Sequence, residues 1–412
     1  MQTHLSQEFK DTPDGEEAAA ILRKCVHCGF CNATCPTYQL IGDELDGPRG
    51  RIYLIKQVLE GASVTRSTQQ HLDRCLTCLN CQTTCPSGVE YGHLVDIGRK
   101  IVEARVERPP LEKVVRWLLK EGMTSPLFAP AMKLGRALRP LLPGILKDKV
   151  PLRGVVPLRG VDRVAPESTQ RPRKVLMLKG CVQPSMMPNI DLAAARVLDK
   201  AQIQVVHAGG GCCGALRTHL SDSKGGLADM RRNIDAWEPL LASGDIEAVI
   251  SSATACALAI KGYGHALSGD LEYAEKAARV SRLALDLSEL LPQLVPQLKP
   301  RLKLKAPRVV FHAPCTLQHG QGLRGGVETQ LRELGFEVAV AEESHMCCGS
   351  AGTYSILQPQ LAVQLRERKL RNLTKTQPQC IVSANMGCIQ HLQAGTGTRV
   401  MHWIELLDEA MD

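Results

Sequence analysis

The sequence is poor in aromatic residues, with 3 Trp, 6 Tyr and 5 Phe among 412. Single-stranded nucleic acid is bound on aromatic faces interleaved with cations. No basic run here alternates with aromatics, so the net charge of +8 is not read as a nucleic-acid surface; it suits anionic lipid or acidic partner subunits. Long apolar runs are also missing. The best, Ala248 to Ile260, falls short of the roughly 18–20 residues that span a bilayer and reads as a buried strand with a following turn. Any membrane association is therefore expected to be peripheral. The N-terminal residues are not expected to be a secretory leader, which together with the cysteine content points to a reducing compartment and against a disulfide framework. Also absent are a nucleophile elbow, a flavin fingerprint and an acid–base pair in a recognisable context. Chemistry on an organic substrate is expected to reside in another chain, and no catalytic residue is assigned.

Cysteine is what the sequence does have: 17 of them, in a pattern. Cys25, Cys28, Cys31, Cys35 and Pro36 recur as Cys75, Cys78, Cys81, Cys85 and Pro86. Both runs read C-x2-C-x2-C-x3-C-P. Three thiolates at this spacing converge on one cubane when the backbone curls around it, and the fourth ligates the neighbouring cluster. Cys25, Cys28, Cys31 and Cys85 are thus expected to hold one [4Fe-4S] cluster, and Cys75, Cys78, Cys81 and Cys35 a second. The alternatives are buried thiols, disulfides, or zinc, which normally pairs two C-x2-C knuckles across a longer gap.

At this length two or three domains are expected. Residues 1–15 read as a flexible tail. Residues 16–108 read as an all-helical ferredoxin-like domain: Glu16 to Lys24 and Gly50 to Glu60 are helix-forming, the latter with Ile52, Ile55 and Leu59 on one face, and Tyr91 to Glu107 closes the module. Arg49 and Arg51 read as a solvated helix start, with neutralisation of cluster charge as the alternative. Residues 109–172 form a basic, proline-rich linker or arm, opening with an amphipathic helix from Leu111 to Lys120. Its cations, Lys133, Arg136, Arg139, Lys147, Lys149, Arg153, Arg159 and Arg163, suggest attachment that high salt would screen.

From Arg173 onward the sequence is duplicated, in repeats at 173–300 and 301–412. Each starts with an apolar strand (Lys174 to Gly180; Arg308 to Pro314) ending in Cys181 or Cys315. A helix, a short strand (Gln202 to His207; Glu337 to Ala341) and a Cys-Cys-Gly turn follow, with Cys212 and Cys213 or Cys347 and Cys348. Another helix and strand deliver Cys256 or Cys388. This order implies a parallel α/β sheet whose sites gather at the carboxyl ends of the strands. Gly209 to Gly214 formally satisfies G-x-G-x-x-G, but the second copy has Ser344-His345-Met346 where the glycines stood and retains the thiols. Metal binding by the four cysteines of each repeat is therefore the reading, buried thiols the alternative. Cys380, without a counterpart, reads as a buried thiol. His207, His219, His312, His319 and His345 read as hydrogen-bonding neighbours.

The two halves resemble CCG domains, the cysteine-rich repeats of heterodisulfide reductase subunits and of flavoprotein-linked electron-transfer subunits. That pattern closes with C-x2-C, whereas here Ala253 and Asn385 stand at the first position of each pair. The five-thiolate clusters of the reductases are therefore not carried over, and the resemblance implies one or two further iron-sulfur clusters. A helical ferredoxin followed by two CCG repeats is the order found in iron-sulfur subunits of anaerobic glycerol-3-phosphate dehydrogenase, of lactate utilisation and of glycolate oxidase. Similarity to the glycolate oxidase family is greatest over ILRKCVHCGFCNATCPTYQLIGDELDGPRGRIYLIKQVLEG and HLDRCLTCLNCQTTCPSGV. The fold class expected is α+β multidomain, with an all-α ferredoxin-like domain followed by a duplicated α/β CCG domain. The family implies a relay chain in an oxidoreductase complex. It further implies two flavin-domain partner subunits, alone carrying FAD, that oxidise glycolate to glyoxylate, with this chain expected to pass electrons to quinone at the cytoplasmic side of the inner membrane. The alternatives are a catalytic disulfide or quinone reductase working at a CCG cluster, a lactate or glycerol-3-phosphate dehydrogenase subunit, and a free ferredoxin-like carrier.

Overall fold

The computed structural model describes residues 1–141, 147, 150–151, 170–303 and 307–411. Among the described residues, the segment up to 141 is helical, without strands. Helices Pro13–Lys24, Pro48–Leu59, Arg66–Asp73 and Tyr91–Arg105 form a bundle. Ile52, Ile55, Val58 and Leu59 pack in its core with Leu94, Val95 and Val102, each fully buried side chain contributing roughly 1.5–3 kcal/mol. The expected tail is instead part of this bundle: Phe9 is buried in the core, Arg105 lies over its ring, and Ser6 N–H donates to the Leu59 carbonyl. An apolar side chain at position 9 gives the segment something to bury, which its polar composition concealed. Pro36 opens the helix Pro36–Ile41, because its fixed φ and missing N–H suit the first helical position.

The arm is more regular than its prolines suggest. Helix Pro110–Trp117 runs into a wider turn, Leu118–Gly122, and a second helix spans Phe128–Ala137. Pro130 falls in its first turn, where no N–H partner is lost. Several of the arm's cations are occupied internally. Arg136 donates to the carbonyls of Ser185 and Met186, Arg139 to that of Val150, and Lys120 pairs with Asp222. Exposed apolar side chains remain: Leu111, Val114, Trp117, Leu118, Leu127, Leu134, Leu138 and Leu141. Lys149, Arg153, Arg159 and Arg163 lie outside the described residues.

Each repeat builds a four-stranded parallel sheet. In the first, β1 (Arg173–Met177), β2 (Ile203–Val206), β3 (Ala248–Ser251) and β4 (Ala284–Asp286) lie in the order 2-1-3-4. In the second, β5 (Arg308–His312), β6 (Glu337–Ala339), β7 (Cys380–Ser383) and β8 (Arg399–His402) lie in the order 6-5-7-8. The fourth strand of each sheet is only three or four residues long and escapes the sequence pattern. The run after β3 continues as a helix, Thr254–Lys261, and not as a turn. The repeats meet through their helices: Asn189–Lys200 of the first packs on Trp403–Ala410 of the second, and Leu287–Leu298 on Gly326–Glu333. One apolar core runs through both sheets, and Arg196 grips Asp408 across the seam at 2.6 Å.

The strand order reverses at β1/β3 and at β5/β7, and open α/β sheets place their sites at such switch points. The Cys-Cys-Gly turns reach them through left-handed glycines, Gly214 (φ 89°) and Gly349 (φ 87°). A Cβ at Gly349 would sit 2.5 Å from the Ala362 carbonyl oxygen, whereas one at Gly352, also at positive φ, would meet open space. Gly349→Ala is therefore expected to destabilise the chain by roughly 2–4 kcal/mol and Gly352→Ala by about 1 kcal/mol, as read from urea unfolding midpoints. Equal costs would show that the close approach is not what requires the glycine.

Candidate metal centres

The two ferredoxin-type loops curl by the same backbone device. His27 (φ 59°) and Gly29 (φ 85°) in the first loop, and Thr77 (φ 52°) and Leu79 (φ 60°) in the second, are left-handed at matching positions. For Thr and Leu this conformation is unfavourable, so the surroundings must hold it. Arg99 does so, donating to the Leu72 and Cys75 carbonyls and, at 2.8 Å, to Thr77 Oγ1. The curl gathers Cys25, Cys28 and Cys31 with Cys85 around one pocket, and Cys75, Cys78 and Cys81 with Cys35 around another. Cys28 is exposed at the rim of the first pocket, flanked by exposed Val26 and Phe30.

Burial pushes the Cys31 thiol up to about 11, with neighbouring Cys25 adding to it; burial also raises Cys35 and Cys81. Thiolates crowded together out of water are costly unless a cation joins them. Arg51, 1% exposed, is one such cation, which overturns the reading of a solvated helix start. It donates to the His71 carbonyl at 2.7 Å and to Thr37 Oγ1, and pairs with fully buried Asp46. Burial opposes its charge, and Cys75, Tyr91, Cys35 and Asp46 more than offset that. Arg49 pairs with Glu44 at the surface, as a solvated side chain would.

In the first repeat Cys181, Cys212, Cys213 and Cys256 form a chain of thiol contacts that holds Cys212 down and drives Cys181 and Cys213 up. The second repeat repeats the chain as Cys315, Cys347, Cys348 and Cys388. Its first member also touches Cys78 of the ferredoxin module. All eight, with Cys75 and Cys78, line one cavity of about 440 Å³. Buried Lys369, anchored on the Glu343 carbonyl at 2.8 Å, lies beside Cys315, Cys348 and Cys347. The donor set is made of soft thiols gathered around shared pockets and faced by buried Arg51 and Lys369, which fits iron-sulfur clusters and not harder metals.

Cys380 starts β7, buried in the shared core and apart from the other thiols, and burial pushes it up to about 11. Among the histidines, His319 is the hydrogen-bonding neighbour expected: its Nε2 donates to the His345 carbonyl and its Nδ1 accepts from Thr83 and Arg324. His207 is exposed, and His219 faces the cavity. His312 is buried with neither ring nitrogen partnered among the described residues. The sequence did not single out Lys369, because a lysine on a helix carries no local sign of burial. Arg51→Leu is expected to cost roughly 3–5 kcal/mol, since Asp46 would lose a buried partner, and to lower the potential of the neighbouring centre. Thermal denaturation and a redox titration check both, and an unchanged potential would remove Arg51 from the charge balance.

Comparison with known proteins agrees with this anatomy. Residues 21–89 match the family described as a 4Fe-4S dicluster domain, and residues 175–261 and 309–393 each match the cysteine-rich CCG domain. The glycolate oxidase iron-sulfur subunit of Escherichia coli (strain K12) is 50% identical, covering 100% of both chains. A probable glycolate oxidase iron-sulfur subunit of Bacillus subtilis (strain 168) is 30% identical over 98% of this chain and 97% of that one. A lactate utilization protein of Geobacillus thermodenitrificans (strain NG80-2) is 25% identical, over 57% of this chain and 98% of that one. With a [4Fe-4S] dicluster module, two CCG repeats and end-to-end similarity at this level, the chain belongs to the family of glycolate oxidase iron-sulfur subunits.

Proposed function

We propose that this chain carries electrons from flavin-bearing partner subunits, which oxidise glycolate to glyoxylate, to a membrane quinone. In this reading Cys25, Cys28, Cys31 and Cys85 ligate the entry cluster and Cys75, Cys78, Cys81 and Cys35 the next. Cys315, Cys347, Cys348 and Cys388, and Cys181, Cys212, Cys213 and Cys256, ligate the centres of the repeats. Bound clusters supply one-electron storage and transfer. The observation that carries the reading is the continuity of the thiols. They run from exposed Cys28 through Cys31 and Cys81, which sense each other's charge, to Cys78 in contact with Cys315. Leu76, Tyr354 and Leu365 pack around that junction, with Arg51 and Lys369 buried nearby.

Attachment to the membrane is assigned to the arm, at the cytoplasmic side of the inner membrane. None of the described helices is long and apolar enough to cross a bilayer. The exposed face of Leu111, Val114, Trp117 and Leu118 has the spacing of an in-plane amphipathic helix. Immersing these four side chains contributes about 1.5 kcal/mol each, while among the described cations Arg136 and Arg139 are tied to main-chain carbonyls and Lys120 to Asp222. The arm's Glu112 and Arg116 also border the cavity between the thiol sets. This favours a second reading, in which the acceptor is reduced inside that cavity at a CCG centre.

Two measurements test the proposal. Cys28→Ser should lose about four irons per chain and at least tenfold in glycolate-to-quinone turnover, while glycolate still reduces the partners' flavin; full iron with full turnover would refute the ligand assignment. Washing membranes with 1 M salt, where screening reaches about 3 Å, should leave the complex bound until detergent is added. Complete release by salt alone would return attachment to the basic residues of the arm.

A further inference from the structure

The repeats agree in their four cysteines and differ three residues before the first. Leu178 stands there in the first repeat and His312 in the second. Leu178 packs in an apolar cluster. His312, the last residue of β5, is 1% exposed. Its main chain is fully engaged: it pairs with Ser383 in the sheet, and its carbonyl accepts from Ser383 Oγ at 2.9 Å. Its ring has no hydrogen-bond partner at either nitrogen among the described residues. A buried polar group left unsatisfied is unfavourable and calls for an unseen partner. One ring nitrogen, Cys348 Sγ and Cys388 Sγ all lie within 4.8 Å of one another, a separation suited to three donors sharing one metal ion.

The first position of the closing cysteine pair is Asn385, whose amide lies 3.7 Å from Cys388 Sγ as a donor and so cannot serve as a soft anionic ligand. We propose that His312 is a metal ligand, holding one iron of the second repeat's centre together with Cys348 and Cys388, while Cys315 and Cys347 bind its remainder. The inference rests on the reading that this repeat carries a cluster. It makes the two repeats chemically unequal: four thiolates in the first, four thiolates and an imidazole in the second. At that position a neutral imidazole gives the centre a higher potential than a thiolate would.

The test uses the full chain, purified anaerobically from cells grown with natural or 15N-labelled histidine, and pulse EPR across a redox titration. The expected result is a strongly coupled nitrogen that shifts with the isotope and disappears in His312→Ala. His312→Cys should retain the iron, lose the nitrogen coupling and lower the midpoint potential of that centre. Absence of strong nitrogen coupling at every poise in the parent chain overturns the proposal, as does a coupling that persists in His312→Ala. Cys348→Ala separates the two levels. Unchanged iron in that variant refutes a cluster in this repeat, whereas lost iron with no nitrogen coupling in the parent chain refutes the histidine alone.

Discussion

The constraint on which the rest of the structure depends is electrostatic. Many thiols that become anionic on binding metal must be held within contact distance, away from water. Each solution visible here answers part of that cost. The left-handed residues His27, Gly29, Thr77 and Leu79 bend the loops so that thiols converge. Arg51 and Lys369 place buried cations beside them. Arg51 in turn needs Asp46, and Asp46 is held by Arg74 and His71 as well, so the charge is distributed over a network instead of a single pair. Such a network is expensive to bury and strongly destabilised by losing one member, which ties the stability of the helical module to the centre it surrounds.

Duplication answers the same constraint in the second half. One sheet with a switch point offers one edge for ligands; two sheets joined through their helices bring both edges to one cavity. The seam is polar where it approaches the thiols. His402 caps the last helix through Nδ1, and its Nε2 donates to the Ser252 carbonyl of the other repeat. Thr254 N–H reaches the Ala384 carbonyl, and Thr254 and Thr316 hydroxyls meet at 2.6 Å. Away from the thiols the seam is the apolar core, closed by Arg196 and Asp408. The halves are thus joined through a shared core, while residues beside their thiols differ, as Leu178 and His312, or Ala253 and Asn385, do.

The placement of the arm follows from the same separation of roles. Glu121 grips Arg217 with two oxygens at 2.8 Å, and Arg108 binds Asp73, Glu103 and Glu112. The arm is therefore clamped to both the helical module and the first repeat, with its apolar side chains turned outward. Basic composition suggests a screened, electrostatic contact; among the described residues Lys120 pairs with Asp222, Arg136 and Arg139 donate to main-chain carbonyls, and the arm also turns an apolar face outward.

What the sequence determined by itself is local. The C-x2-C-x2-C-x3-C-P runs, the Cys-Cys-Gly turns and the strand-then-cysteine order are short-range patterns, and the geometry of a loop or a strand end follows from neighbours a few residues apart. They sufficed for the helical module, the duplicated parallel sheets and the grouping of thiols. The short fourth strands, Ala284–Asp286 and Arg399–His402, were not legible, because three or four residues carry no periodicity and pair only once the other strands stand beside them. Phe9, Arg51 and Lys369 look like surface residues until the partner elements bury them. Only the tertiary structure decided that Cys78 meets Cys315, that eight thiols of two repeats share a cavity, and that the ring of His312 is left facing Cys348 and Cys388. Those contacts join positions far apart in the chain, and their energies come from burial and desolvation, which no local pattern encodes.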